Sequence, residues 1–195
     1  MESTRERLIA AAAQLLDRGG PAAVTLRDVG HAAGVSHNAP YRHFADKDAL
    51  LAAVAARELA RQSANLDGAG DATADVQAML QGYVRWALRY PERFRLTFGR
   101  WERDDAELGE AAGGARRGLT RAVAAAQARG ELPRGEPERL SSLLLALAHG
   151  AADLALAGHL SASGKGAADA DDLVADLFAY LGVCARQPAR RPPTA

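Results

Sequence analysis

Apolar residues recur every three or four positions along most of this 195-residue chain. Leu8, Ala11, Ala12, Leu15 and Leu16 form the first such stripe, the mark of a helix with one buried face. It opens on Ser3-Thr4-Arg5-Glu6, which has the Ser-x-x-Glu form of a capping box, and it stops at Gly19-Gly20-Pro21. Thr25 is placed to cap a second helix from Leu26 to Ala33, ended by Gly34. Ser36 is placed to cap a third that reaches about Phe44, and Asp46 a fourth with Leu50, Leu51, Val54 and Leu59 on its apolar face. Asp67-Gly68-Ala69-Gly70-Asp71 breaks the pattern. Beyond it the same spacing predicts helices at about 73–89, 91–101, 105–129, 136–159 and 169–185. Pro91 and Pro137 fall in first turns, where a missing N–H costs nothing.

β-branched runs of strand length are absent, so the fold class is all-α. The expected organisation is an N-terminal three-helix domain over 1–50, a connecting helix over 46–65, and a C-terminal helical bundle over 66–186. Ser161 to Ala168 reads as a loop, and 187–195, with three prolines and two arginines, as a disordered tail.

Composition adds little to this and removes several classes. Apolar residues make up 48% of the chain but aromatics only 5%, so the core must be built of Ala, Leu and Val. Cys184 is the sole cysteine, which rules out an internal disulfide; on an apolar helix it reads as a small core residue. The chain opens with no charged-then-apolar signal, and no apolar run approaches the ~18 residues that cross a bilayer. A cytoplasmic protein with no membrane partner is the expectation. Arginine outnumbers lysine 22 to 2, as in high-GC bacterial genomes. The net charge is zero. Residues 1–65 carry eight cationic and seven anionic side chains, and residues 66–185 carry 13 and 17. Any nucleic-acid binding must therefore rest on a few placed cations and not on a broad basic face.

The stretch from Thr25 to Leu50 is where such placement is visible. Gly34 can supply the positive φ and close approach that a tight turn between two helices needs, and Ala32 and Ala33 keep the crossing small. Leu26, Val29, Val35 and Phe44 can then share a miniature core with Leu8, Leu15 and Leu16. The third helix carries His37, Asn38, Tyr41, Arg42 and His43, a polar face suited to base edges and phosphates. Asn38 can pair with adenine, His37 can reach a purine N7 or a phosphate, and Ala39 can touch a thymine methyl. Tyr41, His43 and Lys47 are placed for backbone phosphates, as are Thr25 and Arg27 across the groove. His31, His37 and His43 recur every six residues and so lie on different helix faces, which argues against a metal site.

Thr25-Leu26-Arg27-Asp28-Val29, Ala32-Ala33-Gly34-Val35-Ser36, Tyr41-Arg42-His43-Phe44 and Asp46-Lys47-Asp48-Ala49-Leu50 stand at characteristic spacings. Together they resemble the DNA-binding domain of the tetracycline-repressor (TetR) family of bacterial regulators. The resemblance implies a helix-turn-helix, with phosphate contacts at Tyr41, His43 and Lys47 and base-reading positions at His37, Asn38 and Ala39. Pro40 departs from the Leu or Ile often found there.

Most of the aromatic residues lie between Tyr83 and Trp101. Tyr90-Pro91-Glu92-Arg93-Phe94-Arg95-Leu96-Thr97-Phe98 resembles the Pro-Glu-x-Phe-x-x-x-Phe pattern of one subgroup of TetR-like effector domains. Leu145 to Leu154, around His149-Gly150, resembles that subgroup's second marker. An aromatic cluster with few polar groups suits a cavity for a mostly apolar small molecule. Trp86, Phe94, Phe98, Trp101, His149 and Asp153 are the candidates for its lining, the alternative being that the aromatics fill a core. His149 and Asp153, at i and i+4, can pair structurally or around a ligand. The helices over 136–159 and 169–185, with Ala148, Gly150, Ala151 and Ala155 allowing close approach, resemble the family's dimer-forming pair.

The resulting expectation is a repressor that binds a palindromic double-stranded DNA operator as a homodimer and is released by a small effector, with no cofactor. The competing class is a helical enzyme with a carboxylate metal site, for which Glu102, Asp104, Asp105, Glu107 and Glu110 are the residues to consider. No nucleophile-base arrangement, phosphate loop or His-Glu-x-x-His accompanies them, so no catalytic residue is expected.

Overall fold

Among the residues described by the computed structural model, 2–64, 72–102 and 104–186, there are nine α-helices, one 3-10 turn and no strand. The helices are α1 (Thr4–Gly19), α2 (Leu26–Ala32), α3 (Ala39–His43), α4 (Lys47–Ala64), α5 (Ala72–Arg89), α6 (Pro91–Thr97), α7 (Ala106–Ala128), α8 (Pro137–Leu156) and α9 (Ala170–Arg186). The 3-10 turn is Pro21–Ala23. The tail at 187–195 and the break at 67–71 lie outside the described residues.

The local signals act as their chemistry requires. Ser3 Oγ accepts from the Glu6 N–H while Glu6 Oε2 accepts from the Ser3 N–H, closing the capping box on α1. Thr25 Oγ1 accepts from the Asp28 N–H at 3.1 Å and caps α2. Asp46 Oδ1 accepts from the Ala49 N–H at 2.8 Å at the start of α4. Gly20 (φ 65°) and Gly34 (φ 62°) turn the chain after α1 and α2 in the left-handed region that glycine alone enters freely.

Four expectations are corrected. The third helix does not start at Ser36: α3 begins at Ala39, with Asn38 preceding it. Capped at Ser36, the helix would require Pro40 to donate to the Ser36 carbonyl, and proline has no N–H to give. The helix begins instead one residue before that point, at Ala39, with Pro40 in its first turn. The sixth helix stops at Thr97 and not at 101, where Phe98 and Gly99 fold back onto the Phe94 and Leu96 carbonyls. Cys184 is exposed and not a core residue. Finally, α8 is long and apolar enough, by length and composition, to cross a bilayer (mean hydropathy 1.2), although only 28% of that window is buried.

The described residues form two compact units. One holds those in Met1–Ala64 and Arg89–Arg116, the other those in Asn65–Leu88 and Arg117–Ala195. The core of the first joins Leu8, Leu16, Val24, Val29, Phe44, Leu50 and Val54, with Leu15, Leu26 and Val35 packed at its margin. Much of the rest is alanine: Ala11, Ala12 and Ala13 on α1, and Ala52, Ala53, Ala55 and Ala56 on α4. The second unit buries Val76, Leu80 and Val84 of α5, Val123 and Ala126 of α7, Leu144, Ala148 and Ala152 of α8, and Val174 and Phe178 of α9.

Candidate nucleic-acid interface

A five-residue helix cannot hold itself in water, so α3 stands only through what its neighbours do. Phe44, at its C-terminal end, is 3% exposed in the core of the first unit. Pro40 is buried on its inner side, facing Gly30 of α2. The Arg7 guanidinium, from α1, donates to the carbonyl oxygens of Ala33 and Gly34, two acceptors left open by the end of α2. Arg5, two residues earlier, lies over the Phe44 ring at 5.4 Å and pairs with Glu107. Arginines from α1 thus grip both the turn before α3 and the residue after it.

What these contacts leave outward is the polar set. Thr25, Arg27, His37, Asn38, Tyr41 and His43 are exposed, while Ala39 and Lys47 are half-buried. Tyr41 is 53% exposed. Its ring meets His37 edge-on, with centroids 6.0 Å apart. Asn38 precedes α3 but its side chain makes no capping bond there. Its amide therefore keeps both donor and acceptor for an outside partner, and adenine presents the matching pair. Thr25 Oγ1 also donates to Asp28 Oδ2 at 2.6 Å.

The effector candidates do not fall in one unit. Trp86, His149 and Asp153 belong to the second, Phe94, Phe98 and Trp101 to the first. In the second unit Tyr83 Oη and His149 Nδ1 are 2.7 Å apart, and Tyr83 also contacts Trp86, ring centroids 6.1 Å apart. Burial pushes the Tyr83 hydroxyl well above the usual tyrosine value, so it stays protonated. Asp153, one turn beyond His149, is exposed. In the first unit Phe94 is buried against Phe98, and Trp101 packs between the two apolar clusters. Pro21, Leu96, Gly99 and Trp101, with Glu92, Arg95 and Arg100, line an open cleft of about 330 Å³.

The acidic run has local structural work: Asp105 caps α7 by accepting from the Leu108 N–H, and Glu107 pairs with Arg5. Among the described residues no three His, Cys, Asp or Glu side chains stand together as a metal would require.

Sequence reasoning missed Arg93. It is 9% exposed and bonds Asp17 of α1 through two nitrogens and Glu58 of α4 through the third. The available signal was Glu58, a charge on the apolar stripe formed by Leu51, Val54 and Ala55.

The family model described as bacterial regulatory proteins, tetR family, matches residues 8–54. A second, tetracyclin repressor-like, C-terminal domain, matches residues 76–181. A solved protein of unknown function from Rhodococcus is similar over 96% of this chain and 97% of its own, at 30% identity and a TM-score of 0.79. The reduced form of NemR from E. coli is similar over 96% and 100%, at 21% identity and a TM-score of 0.64. FadR from Bacillus subtilis, solved with stearoyl-CoA, is similar over 90% and 96%, at 14% identity and a TM-score of 0.65. No curated protein matches the chain.

Proposed function

The chain belongs to the tetracycline-repressor (TetR) family of bacterial regulatory proteins, and from this premise we propose a repressor that binds a palindromic operator as a homodimer and is released by a small, mostly apolar effector. Membership makes it a DNA-binding transcription regulator and not an enzyme. The observation that carries the finer reading is the uncommitted polar face around α3. The reader unit places Asn38, with an amide not spent on capping, beside exposed His37 and Tyr41, while its apolar residues are buried.

In this reading His37, Asn38 and Ala39 meet base edges. Thr25, Arg27, Tyr41, His43 and Lys47 hold phosphates. Each half-site then gains only a few contacts, so two copies on one duplex are needed for useful affinity. Support for a second copy comes from α8 and α9. Leu143 is 63% exposed, Leu154 46% and Tyr180 69%. At Gly150 an added Cβ would meet nothing within 4 Å. An apolar helix face of this kind is covered when a second copy packs α8 and α9 against it.

The effector's place is the Trp86, Tyr83 and His149 neighbourhood of the second unit, where an apolar wall stands beside one hydrogen-bonding ring. FadR from Bacillus subtilis was solved with stearoyl-CoA, whose acyl chain is the kind of apolar group meant here. Release requires the effector to favour a conformer that fits DNA poorly, and a full switch needs it to bind that conformer about 10⁴-fold more tightly. Selection from a random duplex pool tests the reading. The expected product is an inverted repeat with half-sites about one helical turn apart. Unrepeated half-sites, or a monomer in sedimentation, would overturn the dimer.

A further inference from the structure

We propose that Arg93 is a positioning residue for DNA binding: its three-way ion pair sets the register of α1 against α4, and through α1 the aim of α3. The need for such a device comes from the sequence of the core. α1 and α4 share a wholly apolar core, Leu8, Ile9, Ala11, Ala12, Ala13 and Leu16 on one side and Leu50, Leu51, Ala53 and Val54 on the other. Apolar contact is not directional, so it holds two helices together more firmly than it fixes one register between them. The α1–α4 pair needs something directional, because the reader's aim follows α1: Arg7 of α1 holds the α2–α3 turn, and Arg5 of α1 lies over Phe44.

Arg93 supplies the direction. Its Nε donates to Asp17 Oδ1 at 2.9 Å and its Nη2 to Asp17 Oδ2 at 2.6 Å, a two-pronged bond near the C-terminal end of α1. Its Nη1 donates to Glu58 Oε1 at 3.2 Å, in the middle of α4. The guanidinium also lies 4.4 Å from the centroid of the Tyr90 ring, which fixes its plane from a third side. Glu58 is 3% exposed and also stands within ion-pair range of Arg57 and Arg61, so its charge is matched inside the unit. A planar fork satisfied on three edges accepts one relative placement of Asp17 and Glu58, whereas apolar contact alone accepts many. Burial works against the Arg93 charge, but the Asp17 hydrogen bonds and the Glu58 charge outweigh it and hold the group protonated.

Arg93→Lys and the triple variant Asp17→Asn, Glu58→Gln, Arg93→Met test this. Lysine keeps the charge and gives up the fork; the triple variant removes all three charges together, leaving only the half-buried Arg57 and the exposed Arg61 without Glu58. Each is measured for thermal unfolding, and for anisotropy against the duplex selected by the wild type and against a random duplex, well below the unfolding midpoint. The expected result is cooperative unfolding with roughly tenfold weaker binding to the selected duplex and unchanged binding to random DNA. Arg93→Lys binding the selected duplex like the wild type would overturn the proposal. So would a folded triple variant that does the same. A merely structural role would move the midpoint and leave the ratio of selected to random affinity intact.

Discussion

A Cβ built on Gly30 would stand 2.8 Å from Cγ of Pro40, inside any permissible contact. The two residues come from the helices on either side of the turn, and their meeting sets how closely α3 approaches α2. A proline in the first turn of so short a helix is therefore matched by a residue without a side chain opposite it. Gly30→Ala should overpack this crossing, destabilise the protein by about 1–3 kcal/mol and weaken DNA binding. Adding Pro40→Ala should recover much of both, measured by thermal unfolding and gel shift. Loss in the single variant with no recovery in the double one would place the fault in α2 itself.

Base reading and phosphate binding separate by substitution. Asn38→Ala should relax preference among operator variants at one base pair, at a cost of about 1–3 kcal/mol for the preferred base. Lys47→Ala should weaken binding to every duplex alike and lower the salt slope by about 1. Anisotropy over a salt series reads both. Equal losses on selected and random DNA for both variants would sink the assignment of roles.

Tyr83 gives an alkaline signature. Its phenol is raised in the folded protein, so the protonated form is the favoured one. The resulting stabilisation is whole below the ordinary tyrosine value of about 10 and is lost as pH rises through the higher folded value. At pH about 11 the native wild type and Tyr83→Phe should show the same tyrosinate absorbance, while their unfolded forms differ by one tyrosine. A difference between the native spectra would mean that the Tyr83 phenol is not buried.

Glu6 gives the opposite sign at the acid end. The Ser3 N–H, donating to Glu6 Oε2 at 2.7 Å, holds its carboxyl below the ordinary glutamate range. That contribution is present above this range and lost as pH falls through the lowered value. The amide protection factor at the start of α1 should therefore fall with acid in the wild type and remain flat in Glu6→Gln.

Features that depend on neighbours in sequence were legible before the fold was known. Ser3, Thr25, Gly34 and Asp46 act within four residues of themselves, and each does what its side chain or its φ predicts. Features that depend on distant partners were not. Pro40 read as a departure from pattern because nothing local shows that Gly30 faces it. Arg93 and Asp17 are 76 positions apart, and a charge read alone is assigned to solvent. The aromatic span is harder to read for a related reason. Residues 83–101 are continuous in the chain but run from α5 of one unit into α6 of the other, so Trp86 and Trp101 belong to different bodies.

The central claim is that the exposed face of α3 reads sequence, and one ratio tests it most directly. The full-length protein is titrated by fluorescence anisotropy against its selected duplex and a scrambled duplex of equal length at near-physiological salt. The account predicts a preference of about a thousandfold or more for the selected duplex, falling steeply in Asn38→Ala. Equal affinity for the two duplexes would contradict it.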